Sequence, residues 1–344
     1  MPNIKDIAKE CGVSVATVSR VLNNLPRSAS LEVQQRVRDT ASRLNYHPSA
    51  VARGLSRKRM DTIGILRTYD SSYPPEMFTD RYFGNIADGA ICFGSSLGLR
   101  IQIALRGNDE ALSDISVYAD GQCDGWILVA IVNAMPFYHA LAEHGVPFVL
   151  IGEYREEPEI SVVDIDNKAA GYVLTMHLLD LGHRRIGFLC GDDDHRSAED
   201  RLAGYRMALS EYGISFNESI VLPGIYSSDS GYANSKQLML APPDKRPTAL
   251  LCSDDEIALG VLDAMHDLSL RVPEDISVVG INDVPNAANF SPPLTTLRQP
   301  FRYMGECAVD LLVKQIEGKA APGTKIRLPG ELVLRKSTGP IAKL

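Results

Sequence analysis

Residues 5–24, KDIAKECGVSVATVSRVLNN, constrain this chain more than any other stretch. The apolar positions Ile7, Ala8, Val13, Ala16, Val18, Val21 and Leu22 supply a buried seam for two short helices. Cys11-Gly12-Val13 falls where a helix-turn-helix motif takes its glycine, and Ser14 is placed to cap the second helix. The exposed face of that helix then carries Val15, Ala16, Thr17, Ser19, Arg20 and Asn23. Small apolar groups suit thymine methyls, hydroxyls and an amide suit phosphates, and an arginine suits a guanine edge. A helical hairpin that reads nothing would use the same seam, so the neighbouring sequence has to decide.

Charge decides first. The whole chain of 344 residues has a formal charge of −8, which would disfavour nucleic acid if it were evenly spread. Residues 1–60 hold 11 Lys/Arg against 4 Asp/Glu, a balance of +7, and the remainder holds 24 against 39, a balance of −15. The amino-terminal end is therefore the polyanion-binding end, and the acidic body limits nonspecific sticking. With 45% apolar residues the chain can bury two or three domains.

Ser30 can cap a third helix over 31–44, with Val33, Val37, Ala41 and Leu44 facing the first two. Pro48 starts a short segment, 49–57, and Arg53, Arg57, Lys58 and Arg59 make the region strongly basic. A helix this short is marginal in water, so its order has to come from DNA or a second copy. A basic flexible linker is the plainer alternative. From residue 62 the pattern changes to alternating apolar strands (63–66, 101–105, 126–130, 148–152, 186–190, 249–252, 278–281) and helices (83–97, 134–143, 169–181, 198–212, 257–268, 303–317), with Gly145, Gly182, Gly213 and Gly318 as helix stops. Such alternation predicts parallel sheets covered on both faces, with ligands at the carboxyl ends of the strands.

IKDIAKECGVSVATVSRVLNN and RLNYHPSAVARGLSRKRMDTIGIL closely resemble the amino-terminal signature of the lactose/galactose repressor family of bacterial transcription regulators. LGHRRIGFL, RLAGYRMAL, DDEIALGVLDAM, VPEDISVVGINDVP and PPLTTLRQPFRYMGECAVDLL extend the resemblance over nearly the whole chain. It implies an all-α helix-turn-helix head (1–47), a hinge helix and linker (48–60), and an α/β core like that of periplasmic sugar-binding proteins (61–344). That core would be two doubly wound parallel-sheet lobes joined by three crossovers. It also implies DNA contacts from Asn3, Ile4, Asn24, Tyr46 and Ser49, and a hinge in the minor groove with Leu55 wedged beside Ala52. Where the family usually has Thr-Arg, this chain has Val33-Gln34, which leaves that phosphate contact open.

The expected effector cleft follows from strand ends and from the resemblance together. Glu153 ends one strand, Asp254 and Asp255 follow another, and Asn282 and Asp283 follow a third. Arg201 matches an arginine whose planar donors fork onto ligand hydroxyls in relatives. Tyr82, Phe83 and Tyr226 stand where relatives place stacking rings, and Phe290 would close the rim. Asp254 and Asn282 depart from the sugar-binding pattern, which more often has Asn or Ser and then Asp. A sugar is the expected effector, a nucleobase or nucleoside the alternative; no Lys/Arg cluster beyond Arg201 points to a strongly anionic one.

Other signals are weaker. Gly94-Ser95-Ser96-Leu97-Gly98 fits G-x-S-x-G but ends a helix instead of joining a strand to one. Asp192-Asp193-Asp194-His195 lacks the spacing of a calcium loop and reads as an exposed turn; His177 and His183, six apart, cannot share a helical face as ligands. Trp126 reads as core. Six scattered cysteines form no CxxC pair and read as reduced thiols. No signal-peptide core, membrane-length apolar run, P-loop, GxGxxG or paired nucleophile and base is present. The expectation is a cytoplasmic homodimer without metal or cofactor that binds near-palindromic double-stranded operator DNA, and neither an exported sugar-binding protein nor an enzyme.

Overall fold

The computed structural model describes residues 2–23, 29–46, 59–69 and 81–341. Three short helices open it, each fixed by its own cap. α1 (Ile4–Cys11) starts at Asn3, whose side-chain oxygen accepts from the backbone of Lys5 and Asp6 while Asp6 accepts from Asn3 N. It stops at Gly12 with φ 61°, the left-handed conformation that glycine adopts without strain. Ser14 caps α2 (Val15–Leu22) through Thr17 N at 3.0 Å, and Ser30 caps α3 (Leu31–Arg43) through Val33 N. Ile7, Ala8, Cys11, Val18, Val21, Val37 and Ala41 form the buried core of the head. Ala16 is exposed and does not join that seam, because it lies two residues, about 200°, around the helix from Val18. Gln34 turns its amide back to Ala29 O at 2.9 Å.

The α/β part is two sheets of the same design. Strands β1 (Thr62–Tyr69), β2 (Arg100–Gly107), β3 (Gly125–Val129), β4 (Phe148–Ile151), β5 (Ser161–Ile165) and β11 (Lys325–Leu328) form the first, in the order β2-β1-β3-β4-β5-β11. Strands β6 (Ile186–Leu189), β7 (Val221–Leu222), β8 (Ala249–Cys252), β9 (Ser277–Asn282), β10 (Thr295–Arg298) and β12 (Glu331–Val333) form the second, in the order β7-β6-β8-β9-β10-β12. β1, β3, β4, β5 and β11 pair in parallel, as do β7, β6, β8, β9 and β10; β12 runs antiparallel to β10. The central strands are apolar and buried along their length, as a sheet covered on both faces requires.

Helices α4 (Arg81–Ser96), α5 (Asn108–Ser113), α6 (Ser116–Ala119), α7 (Met135–Glu143), α8 (Asn167–Asp180), α9 (Arg196–Glu211), α10 (Ser228–Met239), α11 (Asp255–Asp267) and α12 (Phe301–Ile316) complete the regular elements used below. They pack in pairs: α4 with α12, α8 with α9, and α10 with α11. Glycines allow the close approach. A Cβ on Gly204 would lie 2.0 Å from Lys168 O, and one on Gly171 would lie 2.0 Å from Arg201 O. Gly89 and Gly305 play the same part between α4 and α12, and Gly231 and Gly260 between α10 and α11.

The chain passes between the sheets three times: from β5 to α8, from β10 to α12, and from β11 to β12. Met1–Thr62 and Gly121–Asp124 form one compact unit, and Ile63–Asp120 and Gly125–Leu344 the other.

The expected strands and helices all occur among the described residues; the expected hinge helix over 49–57 lies outside them. Several helices begin two residues earlier than the apolar pattern indicates, at 81, 167, 196, 255 and 301; two of them do so because an aspartate, Asp166 or Asp254, caps a first turn that the apolar pattern does not mark. The elements not foreseen are β5, β7, β10, β11, β12, α5, α6 and α10. These strands are short or interrupted by polar residues, as in SVVDI and TTLR. Trp126 is buried, its indole N–H donating to Tyr118 O at 3.2 Å. All six cysteines are free, and among the described residues no helix is long and apolar enough to cross a membrane.

Candidate functional site

Two surfaces concentrate the residues singled out by sequence. On the head, Val15, Ala16 and Arg20 project from α2 as exposed side chains, while Thr17, Ser19 and Asn23 are half-buried. Thr17 Oγ1 pairs with Ser14 Oγ at 2.9 Å, and Asn23 donates to Ser19 Oγ at 3.3 Å. Asn3 is engaged as the cap of α1, and Ile4 and Tyr46 lean on the helical core. The expected contacts Asn24, Ser49, Ala52 and Leu55 lie outside the described residues.

The second surface is a cleft of about 630 Å³ between the two sheets. The strand orders explain its place. Each sheet reverses direction at its first strand, β1 between β2 and β3, and β6 between β7 and β8, which opens a crevice at the carboxyl ends. Arg67 on β1, Ala130 after β3, Asp192 after β6 and Asp254 after β8 enter the cleft from those ends.

Arg201 is the centre of the hydrogen bonding. It is 5% exposed, donates from Nε to Asn167 Oδ1 at 2.9 Å and from Nη1 to Ser253 O, and still lines the cleft. Asn167 donates in turn to Asp164, whose carboxylate also accepts from Ile165 N at 2.7 Å. Asp254 caps α11 through Ile257 N at 2.9 Å. Asn282, with φ 119°, accepts from Gln299 Nε2 at 2.6 Å. The next residue, Asp283, has φ 52° and is held by Arg298 and Arg335 at 2.7 and 2.6 Å. Two successive non-glycine residues at positive φ store strain that this clamp holds in place, and it fixes the amide of Asn282 in the wall of the cleft. Tyr82 comes from α4, and Tyr226 lies edge-on to His195 with ring centres 5.5 Å apart.

Tyr82, Arg201, Tyr226, Asp254 and Asn282 are therefore brought together, and five expected residues, Asp255, Asp283, Phe83, Phe290 and Glu153, are not. Asp255 is fully buried, accepting from Val284 N and Thr296 Oγ1, and Asp283 is taken up by its two arginines. Phe83 is 2% exposed in the core of the first lobe, because it is one helical step, about 100°, from Tyr82. Phe290 packs in the apolar core of the second lobe with Val284, Ala287 and Leu294 instead of closing a rim. Glu153 is 1% exposed and ion-paired with Arg155, leaving its neighbour Gly152 in the cleft wall.

Sequence reasoning also missed wall residues. Asp164 and Gln299 lie on the crossovers whose strands were not foreseen, and Asn167 follows the first of them. Asp192 and His195, read as an exposed turn, line the cleft; the strand-end rule applied to β6 would have found Asp192. Arg67 and Arg81 join Arg201, so three guanidinium groups face the cleft, offset by Asp164, Asp192, Asp254 and Glu256. Among the described residues no group of His, Cys, Asp or Glu is arranged to hold a metal ion. The chemistry offered is dense hydrogen bonding with rings at the sides.

Burial sets the protonation of these groups. It lifts the Asp164 carboxyl to about 7 and the Asp254 carboxyl to about 6, against partial relief from hydrogen bonds and from Arg201. It also lowers His195, favouring neutral imidazole. A carboxyl raised in the folded state opposes folding above its unfolded value, increasingly so until its folded value is passed. Acidification from about pH 8 to 7, before histidines charge in the unfolded chain, should therefore raise the melting temperature. Asp164→Asn should raise it at about pH 8 by removing a cost on the order of 3 kcal/mol, and should flatten its pH dependence. A steeper dependence in the variant would refute this.

Comparison with known proteins agrees with the helical head and the two α/β lobes. Residues 3–49 match the model described as "Bacterial regulatory proteins, lacI family", and residues 175–338 match "Periplasmic binding protein-like domain". The chain is 31% identical over 340 residues to the HTH-type transcriptional repressor PurR of Vibrio campbellii, covering 98% of each. The lac repressor dimer bound to operator and the anti-inducer ONPF superposes with a TM-score of 0.83 at 28% identity, over 98% of this chain and 99% of that one. The transcriptional regulator CelR in complex with cellobiose gives 0.74 at 30% identity, over 98% and 100%. With a capped helix-turn-helix head, two repeated lobes and likeness along its full length, this chain belongs to the lactose/galactose repressor family of DNA-binding transcriptional regulators.

Proposed function

We propose that this protein is a repressor whose grip on operator DNA is set by a small neutral sugar bound around Arg201, with a nucleobase or nucleoside as the second reading. The observation that carries the sugar is the composition of the cleft wall. Arg201, Asn167, Asn282, Gln299, Asp164 and Asp254 present mixed donors and acceptors suited to a set of hydroxyls, and Tyr82 and Tyr226 offer rings to a sugar face. The likeness to a regulator holding cellobiose supports it. The second reading rests on the same two rings, which suit a base equally.

In this reading, residues 1–47 form the DNA-binding head, 48–60 the hinge and linker, and 61–344 the effector-binding and dimerising part. Val15, Ala16 and Arg20 touch bases, with Thr17, Ser19, Asn23, Asn24, Asn3, Ile4, Tyr46 and Ser49 on backbone and flanks, and Ala52 and Leu55 in the minor groove. Two heads of a homodimer face the two halves of a pseudo-palindromic site. Exposed apolar side chains of the first lobe, among them Ile91, Leu97 and Ile103, support a dimer contact through that lobe. The protein would act in the cytoplasm, where operator DNA and metabolite meet.

The test has two arms. A thermal-shift screen with cellobiose, ribose and a set of nucleosides should find a stabilising ligand. That ligand should then change the affinity of the full chain for a duplex enriched from a random library by about 5- to 150-fold. A ligand that stabilises the protein without altering DNA affinity would contradict the reading.

A further inference from the structure

The residue just before β3 reaches back to the first residue of β1 and the chain just before it. Asp124 Oδ1 accepts from Met60 N at 2.6 Å, and Oδ2 accepts from Thr62 N at 3.3 Å. Arg59 Nε lies 3.9 Å from the same carboxylate and 3.2 Å from Asp61. Asp124 N donates to Thr62 O at 2.7 Å, and Thr62 Oγ1 donates to Met60 O at 3.0 Å. The Asp124 side chain is only 10% exposed. One carboxylate thus ties down three of four successive residues, and Gly121–Asp124 packs with the amino-terminal unit although it is some sixty residues away in sequence. Only one residue on, Ile63 and Gly125 are partners in the first sheet.

A strand start needs no such clamp, since the β1 and β3 ladder already fixes residues from 63 onward. The clamp acts on what precedes the ladder, the end of the segment that joins head to lobes. We propose that Asp124 is a positioning residue for DNA binding: it fixes the point from which the connector leaves the effector-binding part, and so the separation at which two heads can engage two half-sites. This rests on the DNA-binding reading above. When two modules bind together, the second binding event depends on how well the linker matches the span, so a fixed linker end raises the affinity for one spacing above others.

The probe is a palindromic duplex enriched from a random library by the wild-type full-length chain, with versions one base pair longer and shorter at its centre. Asp124→Ala should weaken binding to the enriched duplex by about tenfold and bring the three spacings within about threefold of one another. Preference for the half-site bases should not change. Asp124→Asn, which keeps one acceptor, should recover part of the spacing preference, and Arg59→Gln should lose part of it at unchanged melting temperature. A merely structural role would lower all three affinities alike together with stability. That result, or wild-type spacing preference in Asp124→Ala, overturns the proposal. If Asp124→Ala fails to fold, unchanged spacing preference in both Asp124→Asn and Arg59→Gln overturns it. If the wild-type chain enriches no sequence, the DNA-binding reading fails and this inference with it, whereas enrichment without a spacing effect refutes Asp124 alone.

Discussion

Arg201→Ala should remove the response to effector while leaving DNA binding by the ligand-free protein in place. The side chain holds one amide and one carbonyl of the second lobe and faces the cleft with what remains of its five donors. Hydrogen bonds to a charged group are worth roughly 1.5–3 kcal/mol each, so loss of two to a ligand lowers its affinity by about 100-fold or more. The variant also leaves Asn167 Oδ1 and Ser253 O without their donor, at about 1–3 kcal/mol for each buried acceptor. Stability should therefore fall as well, and the melting temperature must be read beside the titration. Arg201→Lys separates the two effects. It keeps the charge but replaces a rigid planar fork by one point donor, so it should regain stability better than ligand affinity. Calorimetry with the ligand found by thermal shift checks this. An unchanged dissociation constant in Arg201→Lys would show that the fork is not used.

The sequence made the architecture readable to different depths in different places. Strong periodicity revealed the helices of the head and the buried strands β1, β3, β4, β6, β8 and β9, because long apolar runs have few other uses. It did not reveal β5 or β10, where Asp164 and Thr295-Thr296 interrupt the apolar run, and the crossovers that depend on those strands were known only through resemblance. The same gap hid part of the cleft. Asp164, Asn167 and Gln299 line it because the chain changes lobes there, which no local pattern encodes. Conversely, Phe83 and Phe290 were expected at the ligand because aromatic residues near a cleft serve core and site alike, and only the helical phase or the packing tells them apart. Ala16 shows the same ambiguity on the head, where one small residue fitted both faces of a short helix.

Charge was legible without any structure. The positive balance confined to the first sixty residues sets an expectation for the second large effect, the loss of DNA binding when that end is removed. A protein that neutralises several phosphates releases counterions on binding, so its affinity falls steeply with salt, by about 10³- to 10⁵-fold between 50 and 200 mM for six to ten contacts. The lobes retain their own buried cores without the head, and their acidic balance repels DNA. A chain lacking residues 1–58 should accordingly keep the ligand-induced thermal shift.

The decisive measurement is a fluorescence titration of the enriched duplex with the full chain and with the chain lacking residues 1–58, side by side at several salt concentrations. Tight, salt-dependent binding is expected of the first and no saturable binding of the second, with equal ligand affinity in both. Equal DNA affinity in the two chains would contradict this.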